Sequence, residues 1–215
     1  MGDAPALATD PEKKHRPRVG SYNGTFTRRG LAVILRLHDC PARPWKNGLG
    51  RTRELAVEPR GAGMEDFLWR VSVAEVDSAA PFSAFPGIDR TIVLLDGDGF
   101  HMALDDGRTH ALTEPFVPFA FAGEAQVAVM LAGGPSRDFN LMVRRGHARG
   151  HVAVWRQPDD ARLNAETVLL FCARGRVRLG ESSLHAGDAW LRPTAPAPVP
   201  LQLAPGAVVL AVEVA

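Results

Sequence analysis

The stretch RPWKNGLGRTRELAVEP at residues 43–59 gathers polar side chains that could bind an anion. Its candidate residues are Trp45, Asn47, Gly48, Thr52 and Glu54. Successive side chains of a β-strand point to opposite faces, so if Leu55 faces an apolar layer, Thr52 and Glu54 share the other side. The stretch therefore predicts a polar strip on an otherwise apolar strand.

The first part of this stretch also fits a simple turn. Asn47-Gly48 suits a turn with positive φ, and Gly50 permits a close approach of the backbone to another group. A tight hairpin without any chemistry is the alternative interpretation of the loop.

A second stretch, FLWRVSVAEV at residues 67–76, places Arg70 and Ser72 on one face of a strand. Both faces of this strand are largely apolar, which predicts that it is covered on both sides. A buried arginine without an anion is costly. The partner is either Glu54, in an internal ion pair, or a carboxylate ligand held by two hydrogen bonds, and both hold if Glu54 positions Arg70 for a ligand.

Two further segments add polar candidates. PFSAFPGIDRTIVLL contributes Ser83 and Arg90, although Asp89 and Arg90 also fit an acid in a turn beside a surface base. In GGPSRDFNLMVRR, Asn140 shares a strand face with Met142 and can both donate and accept hydrogen bonds. We therefore expect the ligand-binding set to be Trp45, Asn47, Gly48, Thr52, Glu54, Arg70, Ser72, Ser83, Arg90 and Asn140.

The histidines do not form a metal-binding pattern. His101 and His110 are nine residues apart, and His147 and His151 lie in an arginine-rich connection where Gly146 and Gly150 suggest a loop. A strand would present two histidines at a two-residue spacing on one face, and the sequence has no such pair. We predict no metal and no other cofactor.

Composition narrows the class of partner. Of the 215 residues, 46% are hydrophobic and 23% charged, and the net charge of +1 gives no field that would steer the protein to nucleic acid or an anionic membrane. Cys40 and Cys172 stand alone and are predicted to be buried thiols. No apolar run is long enough for a signal peptide or a membrane span, so we expect a cytoplasmic protein, with a homodimer left open.

The elements that must position these residues are short strands. Residues 1–30 are polar and without periodicity, which predicts a disordered or loosely attached extension. From residue 31, apolar segments alternate with turn residues and predict an all-β protein with thirteen strands. These strands are LAVILRL, TRELAVEP, FLWRVSVAEV, TIVLLDG, GFHMALD, FVPFAFAG, QVAVMLAG, FNLMVRR, HVAVWRQ, VLLFCARG, RVRLG, AWLRP and AVVLAVEV.

The second half of the chain echoes the first. TIVLLDG to QVAVML can be laid over TVLLFCA to AVVLAVEV, and HAGDAWLRP has the turn-and-strand punctuation of cupin β-barrels. We predict a bicupin, two tandem double-stranded β-helix (jelly-roll-like) barrels, at 31–145 and 146–215, with strands that can be shared. The polar candidates fall in the first barrel. We expect Phe116, Phe119 and Phe121 to fill that barrel, and Trp155 and Trp190 to fill the second.

Three of these segments together resemble the HutD/Ves family. They are PWKNGLGRTRELA, FLWRVSVAEVDSAAPFSAFPGIDRTIVLLDGDG and GGPSRDFNLMVRR, in the family's order. The resemblance implies a bacterial bicupin, in some members encoded with histidine-utilisation enzymes, with no established catalytic activity and a suspected small-molecule-binding or regulatory role. By the same association, the candidate ligands are urocanate, formiminoglutamate and formylglutamate.

Three functions remain open. The first is a metal-independent binder of a small organic acid, with Arg70 as the anchor. The second is a cupin-type isomerase or hydrolase with Glu54 as general base, for which no nucleophile or metal set is recognisable. The third is a macromolecular adaptor, although a solvated linker is the simpler interpretation of the same segment. Its contact residues would be Arg137, Arg144, Arg145, His147, Arg149 and His151.

Overall fold

A computed structural model describes residues 33–45, 47–157, 163–193 and 199–215. The predicted extension at 1–30 lies outside the described residues. Within them the chain forms seventeen β-strands and one 3-10 helix, Leu37–Asp39, so the prediction of an all-β protein is confirmed.

The strands of the first part of the chain run from residue 33 to residue 144. They are β1 Val33–Arg36, β2 Ala42–Pro44, β3 Gly50–Glu58, β4 Trp69–Val76, β5 Ile88–Gly97, β6 Phe100–Leu104, β7 Thr109–Leu112, β8 Pro118–Ala122, β9 Val127–Leu131 and β10 Ser136–Arg144.

The second part contributes β11 Gly150–Trp155, β12 Thr167–Arg174, β13 Arg176–Leu179, β14 Ser182–His185, β15 Asp188–Leu191, β16 Leu201–Leu203 and β17 Val208–Val214. All thirteen predicted strands are present. The four that the sequence analysis missed are β2, β7, β14 and β16, which have only three or four residues each and too little apolar alternation to be recognised.

Each half of the molecule pairs a large sheet with a small one. The large sheets have the orders β2-β3-β4-β10-β5-β8 and β1-β15-β12-β17-β11, and the small sheets have the orders β7-β6-β9 and β14-β13-β16. Apolar side chains fill the space inside each half, and a further cluster, with Val71, Phe139, Phe171 and Leu210 among its members, joins the two large sheets face to face. The central strands β4, β10 and β5 of the six-stranded sheet are therefore covered on both faces, as the sequence predicts for β4.

The two halves share one topology, which establishes the bicupin. The series β8-β5-β10-β4 in one large sheet matches β15-β12-β17-β11 in the other. This match corrects the sequence overlay at its end, because β17 occupies the place of β10 rather than that of β9. β1 pairs with β15 and so belongs to the sheet of the second half, an exchange that shared strands allow.

The aromatic residues follow the predicted division with one exception. Trp155 and Trp190 lie in the core of the second barrel, and Phe119 and Phe121 pack in the first. Phe116 instead lies in the cluster between the large sheets. Its positive φ of 63° places it in a turn before β8, so it does not follow the inward alternation of that strand.

Both cysteines are buried free thiols, as predicted. Across the part of the chain that the structure describes, no helix has the length and apolar character needed to cross a membrane.

The turns on either side of β6 provide a test of the fold, because Gly99 lies between β5 and β6 and Gly107 between β6 and β7. Gly99 and Gly107 both have positive φ, +76° and +85°. A Cβ on Gly99 would overlap the carbonyl oxygen of Leu112, whereas a Cβ on Gly107 would meet no atom within 4 Å. We expect Gly107→Ala to lower the free energy of unfolding by about 1–2 kcal/mol, the usual cost of this backbone region, and Gly99→Ala to lower it clearly more. Urea denaturation of both variants measures the difference, and equal losses would contradict this packing of the turn.

Candidate functional site

The inner face of the six-stranded sheet carries a polar cluster inside the first barrel. Strand register aligns Met142 on β10 with Arg70 on β4 and Arg90 on β5, so the two arginines flank the methionine. In the adjacent row Asn140 pairs with Ser72, which pairs with Glu54 on β3. Alternation along four neighbouring strands thus brings distant parts of the sequence to one face.

The ion pair predicted from the sequence is present. The Arg70 Nε donates to Glu54 Oε2 at 2.8 Å, and an Nη1 hydrogen bond of 3.4 Å reaches Ser72 Oγ. The Arg70 side chain is 13% exposed and that of Glu54 20%. Arg70 is therefore held away from bulk water by a carboxylate of the same barrel, as the sequence analysis predicts.

Arg90 lies deeper in the barrel. It is 8% exposed, and its Nη2 donates to Asn140 Oδ1 at 2.9 Å. Its guanidinium carbon lies 5.1, 5.5 and 4.9 Å from the ring centres of Phe82, Phe85 and Phe121, distances suited to cation–π attraction. The Nε of Arg90 has no hydrogen-bond partner.

Burial changes the chemistry of Arg90. Loss of solvation lowers the pKa of its guanidinium to about 10, and the positive charge of Arg70 acts in the same direction, while Asp138 opposes both. The alternative interpretation of Asp89 and Arg90 as a turn acid and a surface base is wrong for Arg90. Asp89 is exposed and pairs with Arg145 at 2.7 Å.

Asp138 belongs to the same cluster, although the ligand-binding set expected from the sequence includes only its neighbour Asn140. It is 1% exposed, its Oδ1 accepts a hydrogen bond from the Asn140 amide, and its Oδ2 has no partner. Burial raises the pKa of this carboxyl to about 7, with Arg90 and the Asn140 hydrogen bond opposing the shift. The two-residue spacing from Asn140 was the signal that could have found it.

The loop at the start of β3 supports the barrel rather than entering it. Trp45 Nε1 donates to Thr52 Oγ1 at 2.8 Å, and the Trp45 ring packs against the apolar residues of the first barrel. A Cβ on Gly50 would come within 2.5 Å of the Glu75 carbonyl oxygen and 2.9 Å of that ring, so the close approach predicted for this glycine is to the β4 backbone and to Trp45. Asn47 and Gly48 form the predicted turn, in which Asn47 Oδ1 accepts from the Leu49 N–H at 3.1 Å and Gly48 has φ +72°.

Three of the predicted site residues lie away from the cluster. Asn47 and Gly48 are exposed in the loop before β3. Ser83 is exposed in the segment between β4 and β5, where its neighbours Phe82 and Phe85 contact Arg90. The structure therefore brings together Trp45, Thr52, Glu54, Arg70, Ser72, Arg90 and Asn140.

No group of three His, Cys, Asp or Glu side chains in the described ranges is placed to hold a metal ion. His110 stacks on Phe119 with 3.8 Å between ring centres, and His151 pairs with Glu213 at 3.0 Å. The cluster instead places two guanidinium groups towards one interior, and the deeper one, that of Arg90, forms no ion pair within 4 Å with any described carboxylate.

Three arginines of the candidate adaptor surface, Arg137 and Arg144 on β10 and Arg145 directly after it, are engaged within the fold. Arg145 forms ion pairs with Asp89 and Glu124, and Arg137 pairs with Asp96. Arg144 Nε donates to the carbonyl oxygen of Phe67 at 2.9 Å. These contacts give the three arginines structural roles at opposite ends of β10.

A cleft of about 560 Å³ lies outside the barrel, between the edges of the two large sheets. Leu55, Val57, Trp69, Val168 and Leu191 contribute apolar walls, and Arg60 and Arg192 are its basic residues. None of the barrel's polar cluster lines it, so it is a separate feature.

The raised pKa of Asp138 makes a prediction about stability. The folded protein holds a proton on this carboxyl up to about pH 7, whereas the group ordinarily has a pKa of 3.8. The stability linked to that proton is fully present below about pH 4 and is lost as the pH rises through about 7. We expect Asp138→Asn, which cannot titrate, to gain stability relative to the parent protein between pH 5 and pH 8, as measured by urea unfolding at both values. Asp96→Asn, a change in an exposed carboxylate on β5, is the matched control, and a parent-to-variant difference that does not change with pH would refute the assignment.

Comparison with known proteins gives the family of this chain. The HutD family model matches residues 37–210. An uncharacterised 21.2 kDa protein from the hutC 3′ region of Pseudomonas putida is 39% identical over 146 residues, 68% of this chain and 76% of that protein. Protein Ves of Citrobacter koseri is 34% identical over 153 residues, 70% of this chain and 78% of the relative.

Solved structures agree. A conserved protein of unknown function from Pseudomonas aeruginosa PAO1 superposes with a TM-score of 0.69 at 32% identity, and HutD from Pseudomonas fluorescens SBW25 with 0.66 at 30%, each covering 86% of this chain and 98% of the other. A putative glyoxylate-induced protein of Pseudomonas aeruginosa, at 12% identity, a TM-score of 0.58 and 92% of each chain, shares the fold alone. The family model, the curated relatives and the solved structures lead to one conclusion: the chain is a member of the HutD/Ves family.

Proposed function

We propose that this protein is a metal-independent bicupin that binds a small carboxylate in its first barrel and has an accessory or regulatory role, in histidine utilisation. The observation that carries the proposal is the pair of arginines, Arg70 and Arg90, that face one interior. Glu54 neutralises Arg70. Arg90 has no such partner within ion-pair distance among the described residues, and its Nε has no hydrogen-bond acceptor.

The charge of the cluster favours an anion. Glu54 and Arg70 cancel each other, and Asp138 carries only part of a negative charge near neutral pH because burial holds its pKa at about 7. The positive charge of Arg90 is therefore incompletely balanced in a site of low polarity. A carboxylate there would make charge-assisted hydrogen bonds, which are shorter and stronger than neutral ones.

Each side chain has a role in this proposal. Arg70 anchors the ligand while Glu54 fixes its guanidinium, and Arg90 supplies the deeper positive charge. Thr52, Ser72 and Asn140 orient the ligand by hydrogen bonds, and Trp45 closes the wall beside Thr52. Asn47, Gly48 and Ser83, on exposed loops, would contact only a part of the ligand that projects from the barrel.

Names of relatives suggest the ligand class. One relative is named for its position near hutC, and a solved neighbour is HutD itself. Urocanate, formiminoglutamate and formylglutamate, intermediates of histidine breakdown, each carry at least one carboxylate and are our candidates. In this proposal the protein acts in the cytoplasm as a sensor or flux limiter, with neither nucleic acid nor membrane as partner, and a homodimer is compatible with it.

A second candidate function is an isomerase or hydrolase that acts on the same acids. One observation favours it, since a buried carboxyl with a pKa near 7, here Asp138, is typical of acid–base sites. Glu54, the general base expected from the sequence, is less suited to the role. One of its carboxylate oxygens is occupied by the hydrogen bond from Arg70 Nε.

Removal of either arginine tests the binding function. We expect calorimetry to detect micromolar binding, about −8 kcal/mol, of at least one of the three candidate acids. Arg70→Gln and Arg90→Gln should each weaken it at least about 30-fold, because loss of one partner of a buried charged hydrogen bond costs 2 kcal/mol or more. Arg137→Gln, at an exposed arginine paired with Asp96, is the matched control and should bind normally. Absence of heat with every acid would overturn the proposal.

Replacement of Glu54 separates the binder from the enzyme. If the protein only binds, incubation with each acid leaves the acid unchanged, and Glu54→Gln reduces affinity by releasing Arg70 from its partner. Liquid chromatography of the incubated acids measures turnover, and calorimetry measures the change in affinity. Turnover that Glu54→Gln abolishes while binding is retained would establish the enzyme instead.

A further inference from the structure

Asp138 is buried beside a cation that it does not contact directly. No ion pair within 4 Å joins it to Arg90, and the side chain of Asn140 lies between them, accepting from Arg90 and donating to Asp138 Oδ1. Arg90 is nevertheless the charged group that most favours ionisation of Asp138. The carboxylate thus depends on a positive charge that it reaches only across an amide.

The other ionisable groups around Asp138 do not provide a substitute. Arg70 on β4 is neutralised by Glu54 on β3. His110, on β7 of the small sheet, stacks on Phe119, and burial lowers its pKa. Arg137, the residue before Asp138, faces the other side of the strand, where it pairs with the exposed Asp96.

An anion bound at Arg90 would therefore compete with Asp138 for the same positive charge. In the proposed complex the ligand carboxylate accepts a hydrogen bond directly from the Arg90 Nε, which has no partner, whereas Asp138 forms no ion pair within 4 Å with Arg90. Once the ligand cancels that charge, an ionised Asp138 would be a buried anion without compensation, which is strongly unfavourable. Protonation removes the penalty, and the Oδ2 atom, which has no hydrogen-bond partner, is free to carry the proton.

We propose that Asp138 is a positioning residue of the first-barrel site that takes up a proton when an anionic ligand binds beside Arg90, so that ligand binding is coupled to proton uptake. This inference rests on the proposed carboxylate-binding function. The neutral carboxyl keeps Asn140 in place and leaves Arg90 to the ligand.

The size of the effect follows from the free protein. With a pKa of about 7, about half of the molecules hold the proton at pH 7 before ligand binds, and few do at pH 8.5. If the bound ligand raises the pKa of Asp138 well above 8.5, binding takes up about half a proton at pH 7 and close to one at pH 8.5. The affinity should fall towards tenfold per pH unit above pH 7 and level off below pH 6.

Calorimetry in two buffers measures this uptake. N-formylglutamate is the first probe because neither its amide nor its carboxyl groups titrate between pH 6 and pH 9. At pH 8 the observed enthalpy should differ between phosphate and Tris, in proportion to the protons that the buffer releases. Asp138→Asn should bind without this difference and with an affinity that does not change with pH, and Asp96→Asn should behave as the parent protein.

The outcomes separate the two proposals. Heat that does not depend on the buffer, or proton uptake that persists in Asp138→Asn, overturns the inference and leaves carboxylate binding in place. No heat with N-formylglutamate, urocanate, formiminoglutamate or millimolar formate overturns the proposed function and the inference with it. If Asp138→Asn fails to fold, the parent protein in two buffers decides alone, since binding without uptake already refutes the coupling.

Discussion

The central strands of the six-stranded sheet are covered on both faces, and this constraint governs everything that its polar side chains can do. One face packs against the other large sheet through side chains such as Phe139 and Phe171. The other closes the first barrel with the small sheet. A charged group on the barrel face has little access to water, so its charge must be met by a neighbouring side chain, by a proton or by a ligand. The charge of Arg70 is met by the neighbouring side chain of Glu54. The charge of Asp138 is removed by a proton below about pH 7.

The two barrels share one topology but differ in the polarity of their interiors. The core of the second barrel is built from apolar side chains, among them Trp155, Cys172 and Trp190. In the first barrel, two arginines and two carboxyl groups occupy part of the interior that apolar side chains fill in the second barrel. Because buried charges contribute little to stability compared with a well-packed apolar core, the polar cluster is better explained by binding than by folding. The unequal cores support the choice of the first barrel as the ligand site.

Much of this arrangement could be predicted from alternation along single strands. Arg70 was recognisable because its strand is apolar on both faces, and Glu54 because it lies on the polar side of a neighbouring strand. Arg90 was harder to interpret, since an acid and a base side by side at the start of a strand are usually solvated, and only the pairing of β5 with β10 places it beside Asn140. Asp138 was left out of the expected ligand-binding set for a related reason. Its ionisation depends on burial and on a residue forty-eight positions away, neither of which a local pattern contains.

Long-range pairing also limited what could be said about the fold. Short strands such as β7 and β14 have no signal of their own and form because a neighbouring strand provides a hydrogen-bonding edge. The overlay of the two halves failed at its last strand because β10 and β17 each complete a large sheet, while β9 and β16 complete the small ones. Phe116 was misplaced because a residue with positive φ departs from the alternation on which the expectation rested.

The pairing of β1 with β15 has a consequence for biosynthesis. Val33 lies opposite Leu191, so the first described strand finds its neighbour only after most of the chain has left the ribosome. Until then the nascent first barrel can assemble from β2 to β10 while β1 waits as an unpaired segment, and long-range contacts of this kind slow folding. The large sheet of the second barrel therefore includes β1, a strand that precedes the first barrel in the chain. A single cut of the chain between the two barrels would leave the second barrel without this strand.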